Sequence, residues 1–325
     1  MRTADARAEK PTDNYYSVSA DTSTGRMGGD SPAVAEWTGD GTPVVLVTGA
    51  ASGIGAATAR ACADRGWTVY ATDVDTSFPA DVRERCRCRE LDVTDSEACQ
   101  RVVDDVLAAE GRIDGLVNNA GYAEVATVGD VDLDAQRRQF DVLVGGVVAL
   151  CQAVLPAMRD AGRGRIVTVS SVLALSTYPG LGVYSAGKAA VERLTDALRM
   201  ELADSGVDAV LVEPAWVDTD FAATALDGLD DTDRRGIDER TYDTLADGWM
   251  LTGGPAAASP AAVAEAVHTA LATERPRARY PVGRFARFVR WAHVLPAALQ
   301  DPIRRVLGRA SVVAERVRRY LGRLR

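Results

Sequence analysis

From position 43 the chain alternates short, wholly apolar runs with longer stretches in which apolar residues recur every three or four positions. The first pattern is that of strands buried on both faces and the second that of amphipathic helices; their alternation predicts βαβ units around a parallel sheet. Strands are expected at 44–48, 67–72, 86–91, 113–118, 165–170, 207–212 and 278–282. Helices are expected from the turn after the first strand to about 65, over 96–110, over 133–158, over 184–202, and from Ser259-Pro260 to about 271. The helix at 96–110 carries Val102, Val103, Val106 and Leu107 on one face, and that at 184–202 carries Ala189, Ala190, Leu194 and Leu198 in apolar register. Pro79 leaves little room for a helix before the third strand. The pattern is that of an α/β fold: a doubly wound parallel sheet of about seven strands in one main domain, 41–283.

The two ends depart from this pattern. Residues 1–40 are rich in Asp, Ser, Thr, Gly and Ala without hydrophobic periodicity and are expected to form a disordered arm. Inside the domain, 216–258 is Asp- and Gly-rich and weakly patterned, as a substrate lid would be. The extension 284–325 reads as basic, amphipathic and helical. From Pro276 onward there are 13 Arg against Asp301 and Glu315, a net of +11, so the remainder carries −20 of the total −9. A first amphipathic piece spans 285–295. Asp301-Pro302 opens a second, in which Ile303, Val306, Leu307, Ala310, Ala314, Val317, Leu321 and Leu324 keep helical spacing. Two readings stand. The extension lies on an anionic membrane with Phe285, Phe288 and Trp291 buried and Arg at the headgroups, or its apolar face packs on the domain or a partner subunit while Arg pairs with the acidic body.

Composition narrows the function. No apolar run approaches the roughly 20 residues that cross a bilayer, and no secretory segment opens the chain. The net charge argues against nucleic acid as a partner. The 32 Asp and 14 Glu face 35 Arg and only two Lys, Lys10 and Lys188. That balance suits a protein soluble in concentrated salt, or records a codon bias that trades Lys for Arg. Two histidines, His268 and His293, cannot supply a multi-His metal site, and no metal is expected. Cys62, Cys86, Cys88, Cys99 and Cys151 form no disulfide framework and read as reduced thiols of a cytoplasmic protein, with Cys86 and Cys88 on one face of a strand.

The turn after the first strand reads Thr48-Gly49-Ala50-Ala51-Ser52-Gly53-Ile54-Gly55. Glycine here lets backbone approach a pyrophosphate closely, and the helix beyond offers oriented N–H groups, as in Rossmann-like dinucleotide sites. Asp73 ends the second strand, where a carboxylate accepts from both adenosine ribose hydroxyls and repels a 2′-phosphate. No Arg or Lys lies in the turn or at 74–77. The expected cofactor is therefore NAD rather than NADP.

Tyr184-Ser185-Ala186-Gly187-Lys188 places a phenol and an ammonium four residues apart on one helix face. A Tyr with its ordinary pKa of about 10 is too weak a base at neutral pH, and a cation nearby favours the phenolate. With nine Tyr and two Lys in the chain, this spacing arises by chance roughly 0.06 times.

Together these residues resemble the short-chain dehydrogenase/reductase family in its short, non-extended type, over about 43–283. Gly49-x-x-x-Gly53-x-Gly55, with Ser52 and Ile54 between, is similar to that family's cofactor turn. Asp92-Val93 resembles its adenine-contacting pair, and Asn118-Asn119-Ala120-Gly121 matches its sheet-stabilising motif beside the cofactor. Ser171 stands where the family has its substrate-orienting Ser. Pro214-Ala215-Trp216-Val217-Asp218-Thr219 resembles the segment that holds the nicotinamide carboxamide. The resemblance implies hydride transfer between nicotinamide and a secondary alcohol or ketone, with Tyr184 as proton donor and acceptor. Ser171 would then bind the reacting oxygen, and Lys188 would lower the Tyr pKa and anchor the ribose.

Three positions depart from the family. Leu143 occupies the place of a relay Asn, which reroutes the proton path or slows turnover; Ala215 replaces Gly; Gly187 stands where Ser is common. Val172, Leu173, Leu175 and Tyr178 suggest an apolar pocket and a lipophilic substrate. A homo-oligomer is expected. Two rivals are an NAD(H)-binding sensor or scaffold with little turnover, and a sugar-nucleotide epimerase or dehydratase, against which the glycine spacing speaks.

Overall fold

A computed structural model describes residues 41–227, 242, 245, 257–296, 298, 299 and 302. Seven strands are among them: β1 (Val44–Thr48), β2 (Thr68–Asp73), β3 (Arg87–Glu90), β4 (Gly115–Asn118), β5 (Gly164–Val169), β6 (Val207–Pro214) and β7 (Arg279–Val282). They form one sheet in the order β3-β2-β1-β4-β5-β6-β7, every pair parallel. The chain crosses over between β1 and β4, which opens a crevice at the carboxyl ends of those two strands.

The helices are α1 (Gly53–Ala63), α2 (Ala80–Arg85), α3 (Ser96–Glu110), α4 (Leu133–Phe140), α5 (Gly146–Asp160), α6 (Gly182–Glu201), α7 (Phe221–Asp227), α8 (Pro260–Ala272) and α9 (Arg284–His293). Alternate residues of each central strand point into two apolar layers. Val45, Val47, Val69 and Val117 pack with α1 and α8, while Val44, Leu46, Leu116 and Ile166 pack with α3 and α5. Local chemistry sets the boundaries. The Asp95 carboxylate accepts the Ala98 N–H ahead of α3, and Ser259 with Pro260 at the first helical position opens α8.

Several expectations change. Pro79 does not prevent a helix: it sits at the N-cap of α2, where a missing N–H costs nothing, and β3 is shortened accordingly. The helix expected at 133–158 is broken by a π-turn, Asp141–Gly145, between α4 and α5. Taken together, Leu133–Asp160 is long and apolar enough to cross a membrane by length and composition, where the sequence reading expected no such stretch. Its Leu150, Val154 and Met158 are buried in the second apolar layer, as in a core helix.

The register read for α6 is also not its buried face. Leu194 is exposed and Ala189, Ala190 and Leu198 are half-buried, whereas Tyr184, Ser185, Lys188, Glu192 and Thr195 are buried. Inside the expected lid, α7 is helical and Tyr242 and Leu245 are buried; the rest of that segment, the N-terminal arm and the helix expected from Asp301 lie outside the described residues.

All five cysteines are free thiols, and Cys86 and Cys88 both face the α1 layer. Burial pushes the Cys86 thiol up to about 11 and the Cys62 and Cys151 thiols up to about 12, so none is poised as a thiolate.

Candidate active site

The crevice at the sheet's carboxyl edge opens into a cleft of about 610 Å³. One wall is the glycine turn between β1 and α1. Gly49 and Gly53 adopt φ of +65° and +51°, conformations that side chains disfavour. A Cβ on Gly49 would come within 2.9 Å of the Ala120 backbone. Both glycines line the cleft with Ser52 and Ile54. Gly55 does not: it is buried in α1, where a Cβ would overlap the Gly49 carbonyl oxygen, so it allows the turn to close on the helix rather than facing a ligand.

β4 is stitched to this turn. The Asn119 side-chain amide donates to the carbonyls of Thr48 at 2.9 Å and Gly49 at 3.1 Å. The Thr48 hydroxyl oxygen accepts the N–H groups of Asn119 and Ala120, both at 3.0 Å. Thr48 thus holds together two loops that form the cleft floor, a role that only its place at the end of β1 could have signalled.

Asp73, at the end of β2, also lines the cleft. One carboxylate oxygen accepts the Ala51 N–H at 2.9 Å and the other accepts the Asp75 N–H at 3.1 Å. Its negative charge is thereby fixed beside the glycine turn, with lone pairs left for a further donor. Asp92 and Val93 follow β3 into the same wall, and the Asp92 carboxylate accepts from the backbone and hydroxyl of Thr94 at 2.9 and 2.8 Å.

The opposite wall is built by β5, β6 and α6. Ser171 follows β5, while Tyr184 and Lys188 rise from successive turns of α6; all three are buried and line the cleft. Gly121, Pro214, Val217 and Thr219 complete the set expected from the sequence. Lys188 Nζ lies 5.8 Å from the centre of the Tyr184 ring and donates to the Val169 carbonyl at 2.8 Å. Burial lowers the Lys188 pKa to about 8. It raises that of Tyr184 well above the ordinary phenol value, although the Ser171 hydroxyl, hydrogen-bonded to the phenol, works in the other direction. The lowering by Lys188 expected from the sequence does not enter this balance, in which desolvation dominates for both groups.

Of the four residues read as an apolar pocket, Val172, Leu173 and Tyr178 line the cleft. Leu175 instead packs toward α9. The sequence reading missed Phe221, whose ring lies 5.6 Å from that of Tyr184, and Trp216 as a wall residue. It also missed the reason for two departures. Leu143, in the π-turn, is buried between Gly121 and Gly187: a Cβ on Gly121 would fall 2.7 Å from Leu143 Cδ2, and one on Gly187 2.9 Å from Leu143 Cδ1. Leu143 and Gly187 are therefore one packing unit.

Behind the site lies a buried ionic cluster. The Ser170 hydroxyl donates to Glu192 at 3.1 Å, and Arg279 and Arg290 pair with Glu213 at 3.1 and 2.7 Å. Burial and the neighbouring Glu192 raise the Glu213 pKa to about 7 against the pull of the two guanidinium groups. Among the described residues no His, Cys, Asp or Glu cluster could hold a metal.

The comparisons with known proteins agree with this geometry. Residues 43–229 match the family model described as short chain dehydrogenase. The chain is 36% identical over 203 residues to a 3-ketodihydrosphingosine reductase of Bacteroides thetaiotaomicron, spanning 61% of this chain and 69% of that protein. It is 33% identical over 273 residues to the uncharacterized oxidoreductase YbbO of Escherichia coli K12, spanning 80% and 93%. Among solved structures, a short-chain dehydrogenase from Streptomyces avermitilis superposes with TM-score 0.68 at 31% identity, covering 85% of this chain and 98% of that one. A Burkholderia phymatum short-chain dehydrogenase/reductase in complex with NAD gives 0.67 at 26%, covering 78% and 93%. A Burkholderia cenocepacia short-chain dehydrogenase in complex with NADP gives 0.62 at 27%, covering 77% and 92%.

Proposed function

The chain belongs to the short-chain dehydrogenase family, and on that premise we propose that it interconverts a lipophilic secondary alcohol and its ketone with NAD. The observation that carries this reading is the convergence of Ser171, Tyr184 and Lys188 on one wall of the cleft opposite the glycine turn.

The residues present fit a dinucleotide. The left-handed Gly49 and Gly53 leave a bare cradle where side chains would intrude, and α1 points its N-terminus there. Ser52, Ile54, Asp92, Val93, Asn119, Ala120 and Gly121 would flank it, and Pro214, Val217 and Thr219 would hold its far end. When bound, the cofactor supplies the hydride acceptor or donor; position and proton transfer are the chain's work. In reduction the Tyr184 phenol gives its proton to the forming alcohol oxygen, and in oxidation its phenolate takes that proton back. Ser171 donates to the same oxygen and fixes its place. Lys188 has ammonium protons to spare beyond its bond to Val169, available to ribose hydroxyls.

NAD over NADP is supported by the Asp73 carboxylate, anchored beside the turn. Arg138 and Lys188 are the only cations lining the cleft among the described residues. A lipophilic substrate is supported by the wall of Val172, Leu173, Tyr178, Trp216 and Phe221. One relative is named as a 3-ketodihydrosphingosine reductase.

The test is an NAD(H)- and NADP(H)-linked assay over a panel of lipophilic secondary alcohols and ketones, run beside Tyr184→Phe. We expect turnover with NAD(H) in the native chain, and in the variant at least a hundredfold loss of kcat with cofactor binding retained. Near-native turnover by Tyr184→Phe would refute the mechanism.

A further inference from the structure

Helix α9 has two apolar faces, and the domain uses one of them. Ala286, Val289 and Ala292 are buried against Val172 and the residues around it. Arg290 also turns inward, to Glu213 at 2.7 Å. The other face carries Phe288 and Trp291, 42% and 64% exposed, followed by Val294 at 82% and Leu299 at 53%. These are four of the nine exposed large apolar side chains among the described residues, gathered within twelve positions. Arg284 and Arg287 are exposed on the same helix.

The exposed row is continuous with the cleft. Trp216, a cleft-wall residue, stacks on Phe285 with ring centres 4.4 Å apart; Phe285 leads to Phe288 at 6.4 Å and Phe288 to Trp291 at 6.3 Å. Residues 284–325 hold 11 Arg against two acids, a net of +9, so the rest of the chain carries −18 of the total −9.

We propose that the outer face of α9 docks on an anionic lipid surface, with Phe288, Trp291 and Val294 in the headgroup region and Arg284 and Arg287 against the phosphates. Charge selects this occupant and its orientation. An anionic bilayer attracts the exposed Arg284 and Arg287 beside this row, and exposed aromatics between arginines suit the interface between water and hydrocarbon. The four side chains expose on the order of 500 Å² of largely apolar surface, sufficient for reversible lipid partitioning. The inference concerns binding and stands independently of the proposed reaction.

The experiment is co-sedimentation of the full chain with phosphatidylcholine vesicles and with vesicles containing phosphatidylglycerol, at low and high salt. We expect binding to the anionic vesicles that falls as salt rises, with little binding to phosphatidylcholine. Phe288→Ser/Trp291→Ser should weaken the partition coefficient about tenfold or more, and Arg284→Glu/Arg287→Glu should flatten the salt dependence. Both pairs are exposed, and unchanged thermal melting and cofactor binding would show that the domain is intact. Three results overturn the proposal: no binding to anionic vesicles, equal sedimentation of Phe288→Ser/Trp291→Ser and the native chain, or a concentration-dependent dimer abolished by that variant.

Discussion

Gly187→Ala tests whether Leu143 and Gly187 are one packing unit. Gly187 lies inside α6 outside the left-handed region, so Ala fits the backbone and should stabilise the helix by about 1 kcal/mol. Against that gain stands a methyl 2.9 Å from Leu143 Cδ1. A surface leucine would rotate away. Leu143 is 2% exposed, and its other methyl faces Gly121, where a Cβ would meet it at 2.7 Å, so it cannot yield toward that side. Overpacking of this kind costs about 1–3 kcal/mol, and Gly187→Ala in the native background should be neutral to destabilising by about 2 kcal/mol, the difference of the two terms.

The background decides the sign. With Leu143→Ala, which itself costs about 2–5 kcal/mol as a cavity, the clash is gone. Gly187→Ala should then stabilise by about 1 kcal/mol. Urea unfolding of the four proteins gives the coupling energy directly, expected at about 1–3 kcal/mol. If Gly187→Ala shifts stability by the same sign and size in both backgrounds, the two residues are not complementary, and Leu143 needs another explanation.

Two other outcomes follow from the site. Lys188→Met should abolish turnover yet stabilise the protein at neutral pH, by an amount bounded on the order of 3 kcal/mol from the lowered ammonium pKa. Because the folded pKa of about 8 lies below the unfolded value, the unfolded chain binds more protons between about 8 and 10.5, and the native protein alone should gain stability as pH rises through that window in thermal melts. Asp73→Ala should weaken NAD binding and narrow its preference over NADP, but it also removes the acceptor for the Ala51 N–H. Asp73→Asn keeps an acceptor and removes the charge, so titration of both variants with NAD and NADP separates the two effects; an unchanged preference in Asp73→Asn would show that the carboxylate does not select the cofactor.

Most of the sheet was legible because its strands are buried on both faces: an unbroken run such as Val44–Thr48 admits few other readings. The motifs that line the cleft were legible for a different reason, since glycine at a left-handed turn and Lys in a chain with two of them leave visible marks. What failed was periodicity on α6. The rule that the apolar stripe faces the core pointed to Ala189, Leu194 and Leu198, while the helix buries Tyr184, Lys188 and Glu192 instead. Tertiary partners invert the pattern there: the cleft, the Val169 carbonyl and the Ser170 hydroxyl receive polar groups that no local count can see. Pro79 failed as a helix breaker because position within the helix, not presence, sets its effect.

The same inversion explains why distant segments converge behind the site. Glu192 stands one helical turn beyond Lys188, and Glu213 precedes Pro214 of the cleft wall, so two carboxylates meet in the interior. Burial first, and then their mutual repulsion, favour the protonated carboxyl, as the raised Glu213 pKa records. Arg279 from β7 and Arg290 from α9 answer that charge, which makes α9 part of the electrostatic support for the cleft wall. Removing one partner of such a set costs more than the set contributes, because the remaining charge stays buried and unpaired. Helix α9 is therefore anchored on its inner side by the ion pair of Arg290 with Glu213, one residue from Pro214 of the cleft wall, while Phe288 and Trp291 stay exposed on its outer side.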